Sequence, residues 1–149
     1  MSERWRPHLT VAAIVEQGGK FLLVEEVPQG RSVFNQPAGH VEEGEAILAA
    51  IVREVAEECC RHFTPEALVG LYRWRSPHNG VTYLRAAFCG SLSEPDPQLV
   101  RDSDIIGDSW FSRDELDRQP LRSPLVLRCI DDYLAGRRLP LDLITELTP

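Results

Sequence analysis

A chain of 149 residues with 43% hydrophobic and 26% charged side chains is long enough to bury a core and too apolar to stay disordered. Its net charge of -7 excludes a broad nucleic-acid-binding surface, which needs clustered Lys and Arg against phosphate. It leaves room for a small phosphorylated ligand, because a divalent cation reverses the sign of an acidic pocket. The N-terminus "MSERWRPHLT" lacks the apolar run of a signal peptide, and no apolar stretch reaches the ~18 residues a membrane span needs. Cys59, Cys60, Cys89 and Cys129 form no C-x-x-C pair, which reads as reduced thiols in a cytoplasmic protein. No linker or repeat divides residues 1–149, so one domain is expected, with a monomer as the simplest assembly.

In chain order, "LTVAAIVEQGGKFLLVEE" reads as two apolar strands around Gly18-Gly19, a hairpin signal. "QGRSVFNQPAGH" is rich in turn residues and leads into "EAILAAIVREVAEE", whose apolar residues Ile47, Leu48, Ile51 and Val55 recur at helical spacing. "ALVGLYRWR" and "VTYLRAAFCGSL" read as strands joined through "SPHNG". "EPDPQLVRDSDIIGD" reads as a polar loop, and "SWFS" as a short strand after it. Ser112 with Glu115 has the pattern of a capping box, opening a short helix. Ser123-Pro124 reads as an N-cap with Pro in the first helical position of "PLVLRCIDDYLAG", and Gly136 is placed to end that helix. Mixed strands and helices with an early hairpin predict an α/β (α+β) chain with helices on the faces of a mixed β-sheet.

The first helix poses a problem of charge. On a wheel of about 100° per residue with Ile47 at zero, Glu54 lies near −20°, Glu58 near +20° and Glu57 near −80°. Ile51 and Val55 lie near 40° and 80° on the same wheel, so two of the carboxylates overlap the edge of the apolar stripe. Like charges at a desolvated edge raise one another's pKa or take a partner. Arg53 supplies one positive charge; a hard divalent cation would supply two and accepts oxygen ligands. A solvated acidic face is the competing reading, since Glu is a good helix former. Gly39 and Gly44 bracket the loop before the helix, where a glycine lets a carbonyl approach a metal or ligand. Glu45 stands at the helix start, where a carboxylate suits the dipole and where pairing with Arg53 would hold the loop to the helix.

Residues 39–61 resemble the Nudix box, G-x5-E-x7-R-E-U-x-E-E-x-G-U, in which U is a bulky aliphatic residue. Gly39, Glu45, Arg53-Glu54-Val55 and Glu57-Glu58 fall on its fixed positions. Cys60 replaces the final glycine and Arg61 the final aliphatic residue. A left-handed cap kept by Cys60 would cost on the order of 1 kcal/mol. The resemblance implies a Nudix-type α/β/α sandwich around a mixed sheet and Mg²⁺- or Mn²⁺-dependent hydrolysis of a phosphoanhydride. It implies metal ligation by Glu54, Glu57, Glu58 and the Gly39 carbonyl, with Arg53 and Glu45 orienting the carboxylates. "WRPHLTVAAIVEQGGKFLLVEE", "FNQPAGH", "DSDI", "LRSPLV" and "GRRLPLDLI" further resemble a bacterial phosphatase branch of that family. That branch is associated with release of phosphate from nucleoside tri- and diphosphates and from hydroxymethylpyrimidine or thiamine pyrophosphate.

Which carboxylate acts as general base is open at this point. An acid outside the box is sought at Asp102 and Asp104, with Glu94 behind them; a loop-capping aspartate is the alternative for Asp104. His40 and Arg85 are candidate substrate contacts, against loop packing and paired strand charges. Arg73 shares the Arg85 reading, and His78 is a lone loop histidine. Trp74 and Tyr72 are candidates for stacking on a base, against packing in the core. Ser123 lacks the histidine and acid of a nucleophilic triad and reads as a cap. Two rival functions stand beside the phosphatase. One is cleavage of ADP-ribose or another nucleoside diphosphate sugar, whose enzymes also carry "QPAG". The other is a catalytically idle nucleotide-binding domain, which the intact Glu54, Glu57 and Glu58 disfavour. The spaced Asp/Asn loop of an EF-hand is absent, which disfavours a structural cation-binding protein.

Overall fold

The computed structural model describes residues 2–147. Strand β1 (His8–Ile14) pairs in parallel with β7 (Thr82–Leu92) and antiparallel with β5 (Ala38–His40). Antiparallel β6 (Phe63–Arg75) completes a mixed four-stranded sheet in the order β5-β1-β7-β6. A second, antiparallel sheet joins β2 (Glu16–Gln17), β3 (Lys20–Glu26) and β4 (Val33–Asn35), with β8 (Ile105–Ser112) along the other edge of β3.

Helix α1 (Ile47–Cys59) covers one face and α3 (Leu125–Leu134) the other, with the short α2 (Arg113–Leu116) after β8. Ile51 and Val55 are fully buried against Val11, Ala13, Ala86 and Phe88 on the α1 side. Each such aliphatic side chain contributes about 1.5–3 kcal/mol by leaving water. Val126, Cys129 and Ile130 pack on Ile14, Ala87 and Val69 on the α3 side. The result is the expected α/β/α sandwich.

Several local expectations change. Gly18 and Gly19 both have positive φ and form the tight turn foreseen there, but only Glu16-Gln17 and Lys20-Phe21 pair across it. Beyond Val15 the two apolar strands part, β1 to the mixed sheet and β3 to the second one. β8 begins at Ile105, four residues before the expected "SWFS" strand, because Ile105–Asp108 pair with Glu26–Val24. Asp108 is tolerated in that strand by an ion pair with Arg101 at 2.8 Å. β6 extends back to Phe63, before the expected Ala67. The Ser112–Glu115 capping box is formed on both sides. At α3 the cap falls one residue later than expected, on Pro124; the Ser123 hydroxyl still accepts from the Leu125 amide at 3.2 Å. Gly136, with φ +88°, follows the end of α3, and the amides of Gly136 and Arg137 donate back to Tyr133 and Asp132.

Among the described residues no helix is long and apolar enough to cross a membrane. All four cysteines are free.

Candidate active site

The site is built where β5 runs into the loop before α1. Gly39 pairs with Val11, and its Cα faces the Glu54 side chain so closely that an added Cβ would lie 2.1 Å from the carboxylate. The glycine is therefore required by close approach, not by an unusual φ, while Gly44 supplies the positive φ of the loop itself.

Arg53 is the hub of this region. Its Nε and Nη2 donate to the two oxygens of Glu45 at 2.7 and 3.0 Å, a two-point fork. Nη2 also donates to the His40 carbonyl at 3.0 Å, tying loop to helix. Nη1 donates to Glu54 at 2.9 Å and to Glu57 at 3.2 Å. The Glu45 hydrogen bond raises the Arg53 pKa further above its ordinary value and lowers that of Glu45. Glu45 also accepts from the Glu42 amide at 3.0 Å. It precedes the helix cap, and its carboxylate serves Arg53 and the loop, not the helix amides. The first amide of α1, that of Ile47, is instead satisfied by the carboxylate of Glu146 at 2.7 Å.

The three helix carboxylates divide as their wheel angles predict. Glu54 and Glu58 are buried, and the Glu57 side chain is 45% exposed. Burial raises the Glu54 pKa, against the opposing Arg53 charge. Burial also pushes the Glu58 carboxyl up to about 9, opposed by the Ala38 amide that donates to it at 2.7 Å. The charges of Glu54, Glu26 and Asp102 raise Glu58 further. Glu26, from β3, is a member of this acidic group that the sequence reading missed; the only signal for it was the run Glu25-Glu26 at the end of an apolar strand.

The outlying candidates fall differently. The Asp102 amide donates to the Glu57 carbonyl at 2.7 Å, which brings Asp102 to the acidic group. Asp104 is exposed, and its amide donates to the Asp102 carboxylate at 3.3 Å in a turn. That is the loop-capping arrangement, with Asp102 as its acceptor. Glu94 is exposed, and its carbonyl accepts from Ser93. Arg85 is 5% exposed and bonded to Asn35 and Gln36, so it is neither a surface phosphate contact nor part of a paired strand charge. His40 is exposed and bonds through its ring to His8 at 3.0 Å, on the opposite face of β5 from Gly39. Trp74 stacks on Tyr83 with rings 6.2 Å apart. Tyr72 donates to Asp132 and packs under α3, which removes it from the stacking candidates. His78 and Arg73 are exposed. Cys60 does keep the left-handed conformation, with φ 55° and ψ 36°.

Among the described residues no three His, Cys, Asp or Glu side chains form a ready metal cage. The oxygen-only donor set and the crowded, poorly hydrated Glu54 and Glu58 nevertheless suit a hard cation. Mg²⁺ is commonly held by one or two carboxylates together with substrate phosphates and water, not by a closed protein cage.

A mixed sheet between two helices, with Gly39 in β5, Glu45 in the loop after it, and Arg53, Glu54, Glu57 and Glu58 on α1, defines a Nudix hydrolase. Residues 6–129 match the NUDIX domain, and the chain belongs to that family. It is 40% identical over 143 residues to the protein named Phosphatase NudJ of Escherichia coli, covering 95% of this chain and 93% of the relative. The same figures hold for Phosphatase NudJ of Shigella flexneri. Among solved structures, a NUDIX hydrolase from Nitrosomonas europaea superposes with a TM-score of 0.92 at 48% identity, over 95% of this chain and 98% of that one. The NUDIX domain of Shewanella oneidensis NrtR, solved with ADP ribose, shares the fold with a TM-score of 0.73 at 16% identity, over 89% and 90% of the two chains.

Proposed function

We propose that this Nudix hydrolase is a divalent-metal-dependent phosphatase that releases phosphate from nucleoside tri- and diphosphates, and from hydroxymethylpyrimidine or thiamine pyrophosphate. The observation that carries the reading is the crowding of Glu54 and Glu58 at Gly39, with the nearby Arg53 already shared among four carboxylates. Excess negative charge held in poor solvation is the complement of a cation carrying phosphate. Glu54, Glu57 and Glu58, with the Gly39 carbonyl, would hold Mg²⁺ or Mn²⁺. When bound, such a cation neutralises phosphate oxygens and makes water a better nucleophile.

Arg53 and Glu45 act on geometry. The fork between them fixes the loop, and the remaining guanidinium nitrogen holds Glu54 and Glu57 in place. Glu57, the most exposed of the three, is the carboxylate best placed to take a proton from attacking water. Asp102 is favoured over Asp104 as the acid contributed from outside the helix. On the far face of β5, His40 with His8, Tyr83 and Trp74 forms an aromatic patch suited to the organic part of a substrate. The protein would work as one domain and one copy in the cytoplasm, with its thiols reduced.

The likeness to Phosphatase NudJ over nearly the full length of both chains favours phosphate release over cleavage of ADP-ribose. The test is phosphate release from GTP, GDP, thiamine pyrophosphate and hydroxymethylpyrimidine pyrophosphate, with and without Mg²⁺. ADP-ribose is run beside them and assayed for AMP. Metal-dependent phosphate release supports the reading. AMP from ADP-ribose without phosphate release would replace it with a diphosphate-sugar hydrolase, and no turnover at all would leave a binding domain.

A further inference from the structure

The tripeptide Arg-Trp-Arg occurs twice in the chain, at residues 4–6 and 73–75. The fold brings both copies to one end of the mixed sheet, where His8 at the start of β1 is in register with Tyr83, and Tyr83 with Trp74 of β6. Trp5, Arg73, Arg75 and Thr82 line one cavity there, of about 310 Å³, at the lower end of the range for small-molecule sites. Arg73 and Arg75 stand two residues apart on a strand, so both side chains leave on one face, about 7 Å apart at the backbone. Trp74 between them leaves on the other face and stacks on Tyr83.

This corner is charged against the rest of the chain, whose net charge is -7. Arg53, Arg101, Arg113, Arg122, Arg128 and Arg137 each hold a carboxylate. Among the described residues Arg73 and Arg75 hold none. Their partners in register are Leu84 and Thr82, neither of them an acid. Like charges on one strand face repel, and an Asp or Glu at either cross-strand position would relieve them. Trp5 adds a second cost, being 65% exposed, a large apolar ring left in water. Charge alone is enough to guard the free edge of β6; that task takes no indole. The set is complementary to a phosphate ester that carries a planar heterocycle. The two guanidinium forks suit the phosphate oxygens, the indole suits the ring, and the Thr82 hydroxyl either donates or accepts.

A phosphate held here is not the one at the helix carboxylates. Gly39 lies on β5 and the two arginines on β6, the outer strands of the sheet, about 14 Å apart over three strand spacings. No carboxylate lines the cavity, so an anion can enter it without a bridging cation. We propose that Trp5, Arg73, Arg75 and Thr82 form a second site, which takes a nucleoside phosphate or another phosphorylated heteroaromatic compound and holds it without cleaving it.

Calorimetry on the full chain in EDTA and low salt tests the site, with GMP, guanosine and inorganic phosphate as probes. EDTA stops turnover and removes any cation that would carry phosphate to Glu54 and Glu58. The variants are Arg73→Ser with Arg75→Ser, Trp5→Ala, and Glu57→Gln as the control at the helix. The residues changed at the cavity are exposed, and thermal unfolding checks that each variant folds. GMP is expected to bind more tightly than guanosine or phosphate alone. Its Kd should rise about tenfold or more in the double arginine variant and about tenfold in Trp5→Ala, and stay at the wild-type value in Glu57→Gln. Screening by about 0.5 M NaCl should weaken it further. Absence of GMP binding to the wild type, equal binding in the cavity variants, or loss of binding in Glu57→Gln would overturn the proposal. Phosphate bound as tightly as GMP would also overturn it, leaving an anion patch in which the indole has no part. The test uses no turnover, so failure of the hydrolase reading and failure of this site are separate results.

Discussion

Glu58→Gln is expected to make the metal-free protein more stable at neutral and alkaline pH. Burial, then the charges of Glu54, Glu26 and Asp102, hold the Glu58 carboxyl near 9, against an ordinary value of 4.5 in the unfolded chain. Between those values the folded protein keeps a proton that the unfolded chain has released. Stability therefore falls as pH rises from 4.5, and levels off above 9. At about 1.36 kcal/mol per pH unit across that window, the loss at pH 7.5 is on the order of 4 kcal/mol. Glutamine removes it and keeps the shape: its side-chain oxygen still accepts the Ala38 amide. Urea unfolding in EDTA at pH 5, 6.5, 8 and 9.5 checks the outcome. The two proteins should coincide near pH 5 and diverge above it, the variant gaining on the order of 5 kcal/mol in unfolding free energy by pH 8. Parallel pH profiles for wild type and variant would refute the burial of an uncompensated carboxyl at this position.

Other perturbations read other parts of the site. Glu57→Gln should lower metal-dependent phosphate release by about 10²-fold or more with little loss of stability, measured by initial rates and thermal unfolding. Gly39→Ala drives a methyl group into the Glu54 carboxylate; it should cost about 1–3 kcal/mol and weaken Mg²⁺ binding, which calorimetry would show. Saturating Mg²⁺ should stabilise the folded protein by about 2.7 kcal/mol at a hundred times Kd, read from Tm against metal concentration. Cys60→Gly should gain about 1 kcal/mol in urea by relieving the left-handed strain at the end of α1.

What could be read from the sequence is what neighbours in the chain determine. The stripe of Ile51 and Val55 and the flanking Glu54 and Glu58 follow from helical spacing, and burial treats them as the wheel angles require. The Glu45–Arg53 fork lies within one loop and two turns of helix. The turn at Gly18-Gly19 was legible for the same reason. Pairing between distant segments was not. An apolar strand carries no mark of which sheet it joins, so the parting of β1 from β3 and the early start of β8 were hidden. Glu146 caps a helix 99 residues earlier in the chain, and no local pattern announces it. Glu26 reaches the acidic group for the same kind of reason: β3 passes beside the end of α1, and only the tertiary fold makes them neighbours.

The carboxylates show why this division matters for function. Spacing alone treats Glu54, Glu57 and Glu58 as three equivalent oxygen donors. In the fold they are not equivalent. Glu57 is half open to water and held loosely by Arg53 at 3.2 Å, whereas Glu58 is sealed beneath β5 and anchored to the Ala38 amide. A buried carboxyl that holds its proton at neutral pH must release it before it can ligate a cation, so any metal binding there would be coupled to proton release. A half-exposed carboxylate carries no such cost and keeps access to water. The same three letters on one helix thereby differ in solvation and in partners, amide-bound and protonated at the buried end and open to water at the other. What separates them is the depth to which β5 and the loop after it cover the helix.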